Sequence, residues 1–314
     1  MSKFKPLLLV YPDSNQVTQH AVKQFADNVA RRTNGLITIA SIPISKLVNQ
    51  PALVDMVLDG RADMALPAHD RLRGCAKIFG CIGTPFAFDD HAHADRVMDN
   101  EILDTVQREL NQQGLVYLGS WEWGFRQITN SRHPILKPED MRGLKIRVPT
   151  TPLCQATVLA LGGIPVMVEF EQLARAINQG LVDGQENPVM IIEGLGLQHS
   201  QKFLSMVNYS YGTLAHIINK NSFDNLSPYL QTILIEESRM AGQLMRQQTR
   251  AQEAMQLAAF ASQGVQIDWP DLAPFKALMT PVYRGLGESL GVETMRTFLD
   301  MTERQRKAPE QVAT

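Results

Sequence analysis

The residue types that carry binding chemistry gather in three short stretches. In GLKIRVPTTP (143–152), Arg147 stands one residue before the end of an alternating run. A guanidinium there presents a planar fork of N–H donors that matches both oxygens of a carboxylate. In GFRQITN (124–130), Arg126 offers the same fork, close to Trp121, Trp123 and Phe125. Those aromatics suit either packing or one wall of a pocket. In DGQENP (183–188), Asp183 and Glu186 are carboxylates of the kind that serve acid–base chemistry, and the same place in the chain suits ligand binding or packing. For Arg147 the alternative is a solvated strand face shared with Lys145.

Other chemistry lacks its signature. There is no GxSxG elbow, P-loop, HExxH or intact GxGxxG; GLGLQH (194–199) lacks the third glycine and reads as a loop. In DDHAHAD (89–95), His91 and His93 are two residues apart and point to different faces of a helix, whereas Asp89 and Asp90 fit an N-cap and a first helical turn. The 3 cysteines form no CxxC pair. Cys154 reads as a small buried residue, and a Cys75–Cys81 disulfide is not expected. No cofactor and no metal are therefore expected. Charged residues are 20% of the chain and the net charge is -2, which is unlike the basic face of a nucleic-acid binder. No apolar run has the length of a membrane span. LLLVY (7–11) is too short for the apolar region of a signal peptide and reads as a first strand. The expectation is a cytoplasmic chain, or a mature or re-engineered form of an exported one.

A chain of 314 residues with 44% hydrophobic residues ordinarily divides its core between two domains. The elements suggest how. LLLVY, LITIASI and ADMALP read as strands, with helices QVTQHAVKQFADNVARR and PALVDMVLDG between them. The grammar returns later. LKIRV, PVMV and VDGQE read as strands, with helices PLCQATVLALGG and EFEQLARAINQG between them. LDGRADMAL and NQGLVDGQE share an order of helix, Gly, two residues, Asp and strand. Two lobes on one plan follow, with strand ends facing each other across a cleft, which is where ligands favour binding. HAHADRVMDNEILDTVQRELNQQG reads as one long amphipathic helix. LVYLGSWEWGFRQITN reads as extended chain crossing between lobes, and KFLSMVNYS and TLAHIIN as the return. SPYLQTILIEESRMAGQLMRQQTRAQEAMQLAAFASQG reads as one very long helix, followed by helices APFKALMTPVYRGLGESL and VETMRTFLDMTERQRK. The expected lobes are residues 1–124 with about 214–252, and 125–213 with about 253–285, followed by a C-terminal helix and tail over 286–314.

GFRQITNS, PEDMRGLKIRVP, ALGGIPVMVEFEQLARAINQGLVDGQENP and FLSMVNYSYG resemble the solute-binding proteins of TRAP transporters, the tripartite ATP-independent periplasmic carriers. The resemblance runs from about residue 7 to about residue 300. Its most specific part is GLKIRVP followed by VDGQENP. It implies an α/β, two-lobed fold of periplasmic-binding-protein type, with crossing strands and a long connecting helix. It also implies capture of a small organic acid and its delivery to a membrane permease, by a monomer in the periplasm. By position, Arg147 matches the arginine that pairs with the substrate carboxylate, and Arg126 a second arginine of the site. Asn187 matches the amide at the same end of the ligand, and Phe170 the aromatic packed on it. Tyr11, Gln50, His69 and Arg71 fall where relatives vary their contacts. Trp123 stands where many relatives carry a small polar residue, so it is expected to set ligand size.

Two other readings compete with a transport receptor. One is an enzyme that uses Glu186 or Asp183 as base and Arg147 as anchor. The other is a binding module that presents its closed lobes to a sensor instead of a permease.

Overall fold

The structure is a computed structural model, and it describes residues 5–13, 15–47 and 52–306. Two sheets form its frame. The first holds β1 (Leu7–Tyr11), β2 (Ile39–Pro43), β3 (Met64–Ala65), β4 (Leu115–Phe125) and β10 (Tyr211–Asn219), in the order β2-β1-β3-β10-β4. The second holds β5 (Gln127–Asn130), β6 (Lys145–Val148), β7 (Ile164–Met167), β8 (Gly184–Asn187), β9 (Phe203–Ser205) and β11 (Gln266–Asp268), in the order β11-β9-β5-β8-β6-β7.

The internal repeat is realised bond for bond. β1 pairs in parallel with β2 and β3, and β6 pairs in parallel with β7 and β8. Asp63 accepts a hydrogen bond from the Leu8 amide at 2.8 Å, and Asp183 accepts one from the Lys145 amide at 2.9 Å. Gly60 and Gly180, which end the preceding helices, have φ of 76° and 67°, a backbone conformation that costs a side-chain-bearing residue. Leu8 thus corresponds to Lys145, and Val10 to Arg147.

Each sheet is completed by a strand borrowed from elsewhere in the chain. Antiparallel β10 sits between β3 and β4, and antiparallel β5 sits between β8 and β9. β4 and β5 are continuous except for Arg126, so the chain leaves one sheet and enters the other within a residue. It returns through Met206–Ser210, where Asn208 has φ of 45°. The third link is the 35-residue helix Pro228–Ser262. Its Met245 packs in the first lobe with Phe25 and Trp121, and its Phe260 packs in the second with Leu173 and Ile192.

Alternation explains the cores. Leu7, Leu9 and Tyr11 of β1 pack in one apolar cluster while Val10 packs in the cluster on the other face. A charged seam fastens the outer helices to this frame. Arg250 pairs with Asp95 at 2.7 Å and with the fully buried Glu122, and Arg246 pairs with Asp99.

The structure departs from the expected elements in particular places. The helix expected over 91–114 runs as His91–Arg96, a π-helical turn Val97–Glu101 and Leu103–Gln112. The inserted turn lets Val97, Met98, Ile102, Val106 and Leu110 all reach one core cluster, which an unbroken 3.6-residue pitch would not arrange. ADMALP is regular strand only over Met64–Ala65, although the flanking Asp63, Leu66 and Pro67 still exchange backbone hydrogen bonds with β1 and β10. KFLSMVNYS is a strand only over Phe203–Ser205. GLGLQH closes helix Val189–Gly194 and contains a 3-10 turn. Thr151 stands at the N-cap of helix Pro152–Ala160, but its hydroxyl makes no capping bond. Cys75, Cys81 and Cys154 are free thiols.

Candidate ligand-binding site

The strand ends of the two lobes face one cavity of about 450 Å³. Pro12 after β1 and Ala68 and His69 after β3 line it from the first lobe. Arg147 and Pro149 at the end of β6, and Asn187 and Pro188 at the end of β8, line it from the second. The parallel strands point their carboxyl ends at the cleft, the ordinary ligand position in α/β sheets.

Arg147 is 2% exposed, with its fork at the cavity. Its Nε donates to the Val168 carbonyl at 2.8 Å, which fixes the plane of the guanidinium. Among the described residues, neither Nη group has a hydrogen-bond partner or an ion-pair partner within range. Burial lowers the basicity of this guanidinium, while Glu186 raises it and Arg126 lowers it further. A cation desolvated in this way, with its donors unspent, favours an incoming anion.

Arg126 lies in the same cleft but in a different electrical state. Its Nε and Nη2 both bond the Glu186 carboxylate, and Nη2 also donates to the Asn187 side-chain oxygen at 3.1 Å. Burial works against its charge, but Glu186 more than offsets this and the basicity is raised well above the ordinary value. Tyr209 donates its hydroxyl to the same carboxylate. Glu186 is itself fully buried, so it is the counter-ion of Arg126.

Asn187 is engaged at both ends, with one N–H of Nδ2 still without a partner among the described residues. Its oxygen accepts from Arg126, and its Nδ2 donates to Gln185 at 2.6 Å. Phe170 stands at the rim, 38% exposed, in a 3-10 turn. Trp123 lines the cavity from β4, and its Nε1 is buried without a partner among the described residues. His69 also lines it; burial lowers its basicity, so the ring is neutral near pH 7, with Nδ1 3.3 Å from the backbone N and O of Thr213. Arg71 is a rim residue with an exposed side chain.

Tyr11 is 8% exposed and packs in the apolar core with Val17 and Phe25, while its neighbour Pro12 takes the place at the cavity. Alternation along β1 puts the ring on the same buried face as Leu7 and Leu9. Gln50 lies outside the described residues. Sequence reasoning missed Leu153, Cys154, Ile191, Ser210, Leu286 and Leu290 as lining residues. All but Ser210 are apolar positions or a thiol on helices, and nothing in a helical apolar stripe separates a cavity wall from a core. Burial pushes the Cys154 thiol up to about 12, helped by Glu186, so it is not a nucleophile at neutral pH.

Residues 10–289 match the family described as bacterial extracellular solute-binding protein, family 7. The chain is 31% identical over 258 residues to the 2,3-diketo-L-gulonate-binding periplasmic protein YiaO of Escherichia coli (strain K12), an alignment covering 82% of this chain and 79% of that one. It is 26% identical over 276 residues to the sialic acid-binding periplasmic protein SiaP of Vibrio cholerae, covering 88% and 86%. A TRAP periplasmic solute-binding protein from Ochrobactrum anthropi superposes with a TM-score of 0.90 at 27% identity, covering 96% of each chain. One from Roseobacter denitrificans, solved with bound beta-D-glucuronate, superposes at 0.86 with 25% identity, covering 95% and 99%. The relatives are periplasmic binding proteins, and no helix among the described residues is long and apolar enough to cross a membrane. The two-lobed frame, the cleft between its strand ends and these matches together place the chain in family 7 of the bacterial extracellular solute-binding proteins, the solute receptors of TRAP transporters.

Proposed function

We propose that this chain is a periplasmic receptor that captures a small organic acid between its lobes and delivers it, as a monomer, to the membrane subunits of a TRAP permease. The ligand's carboxylate lies on the Nη groups of Arg147. Asn187 and Arg126 frame that end of the ligand, Phe170 and Trp123 cover its body, and His69 and Arg71 approach from the first lobe. The observation that carries this reading is the state of Arg147: buried, held in plane by Val168, and without a paired carboxylate among the described residues.

The receptor performs no reaction on its ligand in this reading. Glu186, the carboxylate best placed for acid–base work, is committed to Arg126 and Tyr209. Asp183 is committed to the Lys145 amide at the far end of β6 from the cavity.

The test begins with mass spectrometry of ligand released from the purified, denatured protein, followed by calorimetric titration of the acid so identified. Removing one member of a buried charge pair loses about 2–5 kcal/mol, or roughly one and a half to three and a half orders of magnitude in affinity. Arg147→Ala is expected to show that loss, and Arg147→Lys a clear but smaller one, because the ammonium keeps charge and loses the fork. Wild-type affinity in a folded Arg147→Ala protein refutes the carboxylate clamp. A new product in the incubated mixture refutes the receptor in favour of an enzyme.

A further inference from the structure

The polar inventory of the cavity narrows the class of acid. This step rests on the carboxylate reading above. We propose that the cleft selects monocarboxylates with an apolar body and at most one or two further polar groups, over polyhydroxylated sugar acids and over dicarboxylates.

The charge count comes first. Two guanidinium groups and one carboxylate, Arg126, Arg147 and Glu186, meet at the second-lobe end of the cavity. Glu186 cancels Arg126. What remains there is one positive charge, enough for one carboxylate. A second ligand carboxylate would need another cation in the interior. The other arginines of the cavity, Arg71 and Arg73, are exposed at its rim, and the Arg71 side chain is 74% exposed. A pairing made there is made in water and contributes little.

Hydrogen-bonding capacity is the second constraint. Most polar side chains of the interior are already engaged with the protein. Asn187 is used by Arg126 and Gln185. The Ser210 hydroxyl donates to the Gly83 carbonyl at 2.9 Å, Tyr211 donates to Glu122 at 2.8 Å, and Ser289 donates to the Leu286 carbonyl. The groups left over among the described residues are spread around the wall: His69 Nε2, the Thr151 hydroxyl, Trp123 Nε1, Arg126 Nη1 and, toward the rim, the Asp70 carboxylate, which would repel a second ligand carboxylate. A sugar acid carries a hydroxyl on nearly every carbon. Once water is excluded, hydroxyls without partners are penalised, and the penalty grows with each one. One oxo or hydroxyl group beside the carboxylate can be met; a full set cannot.

The walls supply the third observation. Trp123, Phe170, Leu153, Ile191, Leu286 and Leu290 line the space. The apolar lining continues to the far end, where Gly80 packs so tightly that a Cβ there would lie 2.7 Å from Leu290 Cδ2. Such surfaces reward an aliphatic or aromatic body and offer a hydroxylated chain nothing.

Calorimetric titration of the wild-type protein with 4-methyl-2-oxopentanoate, phenylpyruvate, galactonate, glucuronate and succinate tests the proposal. At least one of the two apolar-bodied acids is expected to bind about tenfold or more tighter than every other acid in the set. Trp123→Asn is expected to narrow that ratio while binding stays dependent on Arg147. A sugar acid or succinate binding tightest, and lost in Arg147→Ala, overturns this inference and leaves the receptor reading intact. Binding of none of the five, or binding unaffected by Arg147→Ala, overturns the carboxylate reading and this inference with it.

Discussion

Glu186 holds the Arg126 guanidinium through both Nε and Nη2, while Arg147, one strand over, is given only the Val168 carbonyl. Two arginines that look alike in the sequence are therefore different objects. One is neutralised by a buried carboxylate, and the other keeps both Nη groups without a partner among the described residues.

Their substitutions should separate accordingly. Arg126→Ala leaves Glu186 buried without its cation, a change that typically costs about 3–5 kcal/mol. The ligand-free protein should melt several degrees lower. Arg147→Ala removes a buried cation that has no partner of its own, so the ligand-free melting temperature should stay near that of wild type or rise. Thermal melts of both variants without ligand check this. An Arg126→Ala protein that melts like wild type would remove Glu186 from its role as counter-ion.

Glu253, on the long helix, should give the fold a pH dependence. Burial and the nearby Glu122 raise its carboxyl from 4.5 to about 7, with Arg250 opposing them. A raised folded-state value means that the native protein binds this proton more tightly than the unfolded chain does. The stabilisation is present below about pH 4.5 and is lost as pH rises through about 7, a difference of about 3 kcal/mol at most. Glu253→Gln should therefore gain stability relative to wild type between pH 5 and 8 ~ by 1–3 kcal/mol at the upper end. Denaturant melts across that range, with parallel curves for the two proteins, would place the carboxyl back in water.

Two glycines should tolerate no side chain. A Cβ at Gly184 would lie 2.1 Å from the Thr129 carbonyl oxygen, and one at Gly242 would lie 2.4 Å from that of Ser120. Both contacts are with backbone, so neither can be relieved by a rotamer change. Gly242→Ala should push the long helix off β4 and destabilise by about 2 kcal/mol or more. Gly285→Ala, where the added atom meets nothing within 4 Å, is the matched control. Equal unfolding midpoints for the two variants would contradict the close approach.

Three segments link the lobes: the passage at Arg126, the return through Met206–Ser210 and the long helix. This arrangement suits hinge closure around a bound solute. Small-angle scattering at saturating ligand should give a smaller radius of gyration than without it. An unchanged radius would argue for a cleft that fills without closing.

Much of this frame was legible because its signals are local. The 3.6-residue period of Val17, Ala21, Phe25 and Val29 specified helix Gln16–Arg32, and the shared Gly and Asp punctuation marked the repeat. Arg147 was legible as a strand-end arginine. The pairing of Arg126 with Glu186 was not, because 60 residues separate them and only the antiparallel register of β5 on β8 brings them together. The π-helical turn at Val97–Glu101 was hidden for a related reason. Its cause is the position of a distant core, which no local pattern records. Tyr11 lay on the right strand, and the alternation that turned it inward was already visible in Leu7 and Leu9.

β10 occupies the position between β3 and β4, yet it lies about ninety residues beyond β4 in the chain. During synthesis the first lobe must wait for it. β1, β2 and β3 leave the ribosome with one edge open, and β4 has nothing to pair with until Tyr211–Asn219 appears. By then the strands of the second lobe, except β11, have already been made. A chain stopped before residue 219 holds an incomplete first sheet, and one stopped before residue 268 an incomplete second sheet, so neither lobe is closed before the other has largely been made and the lobes are not independent products of translation.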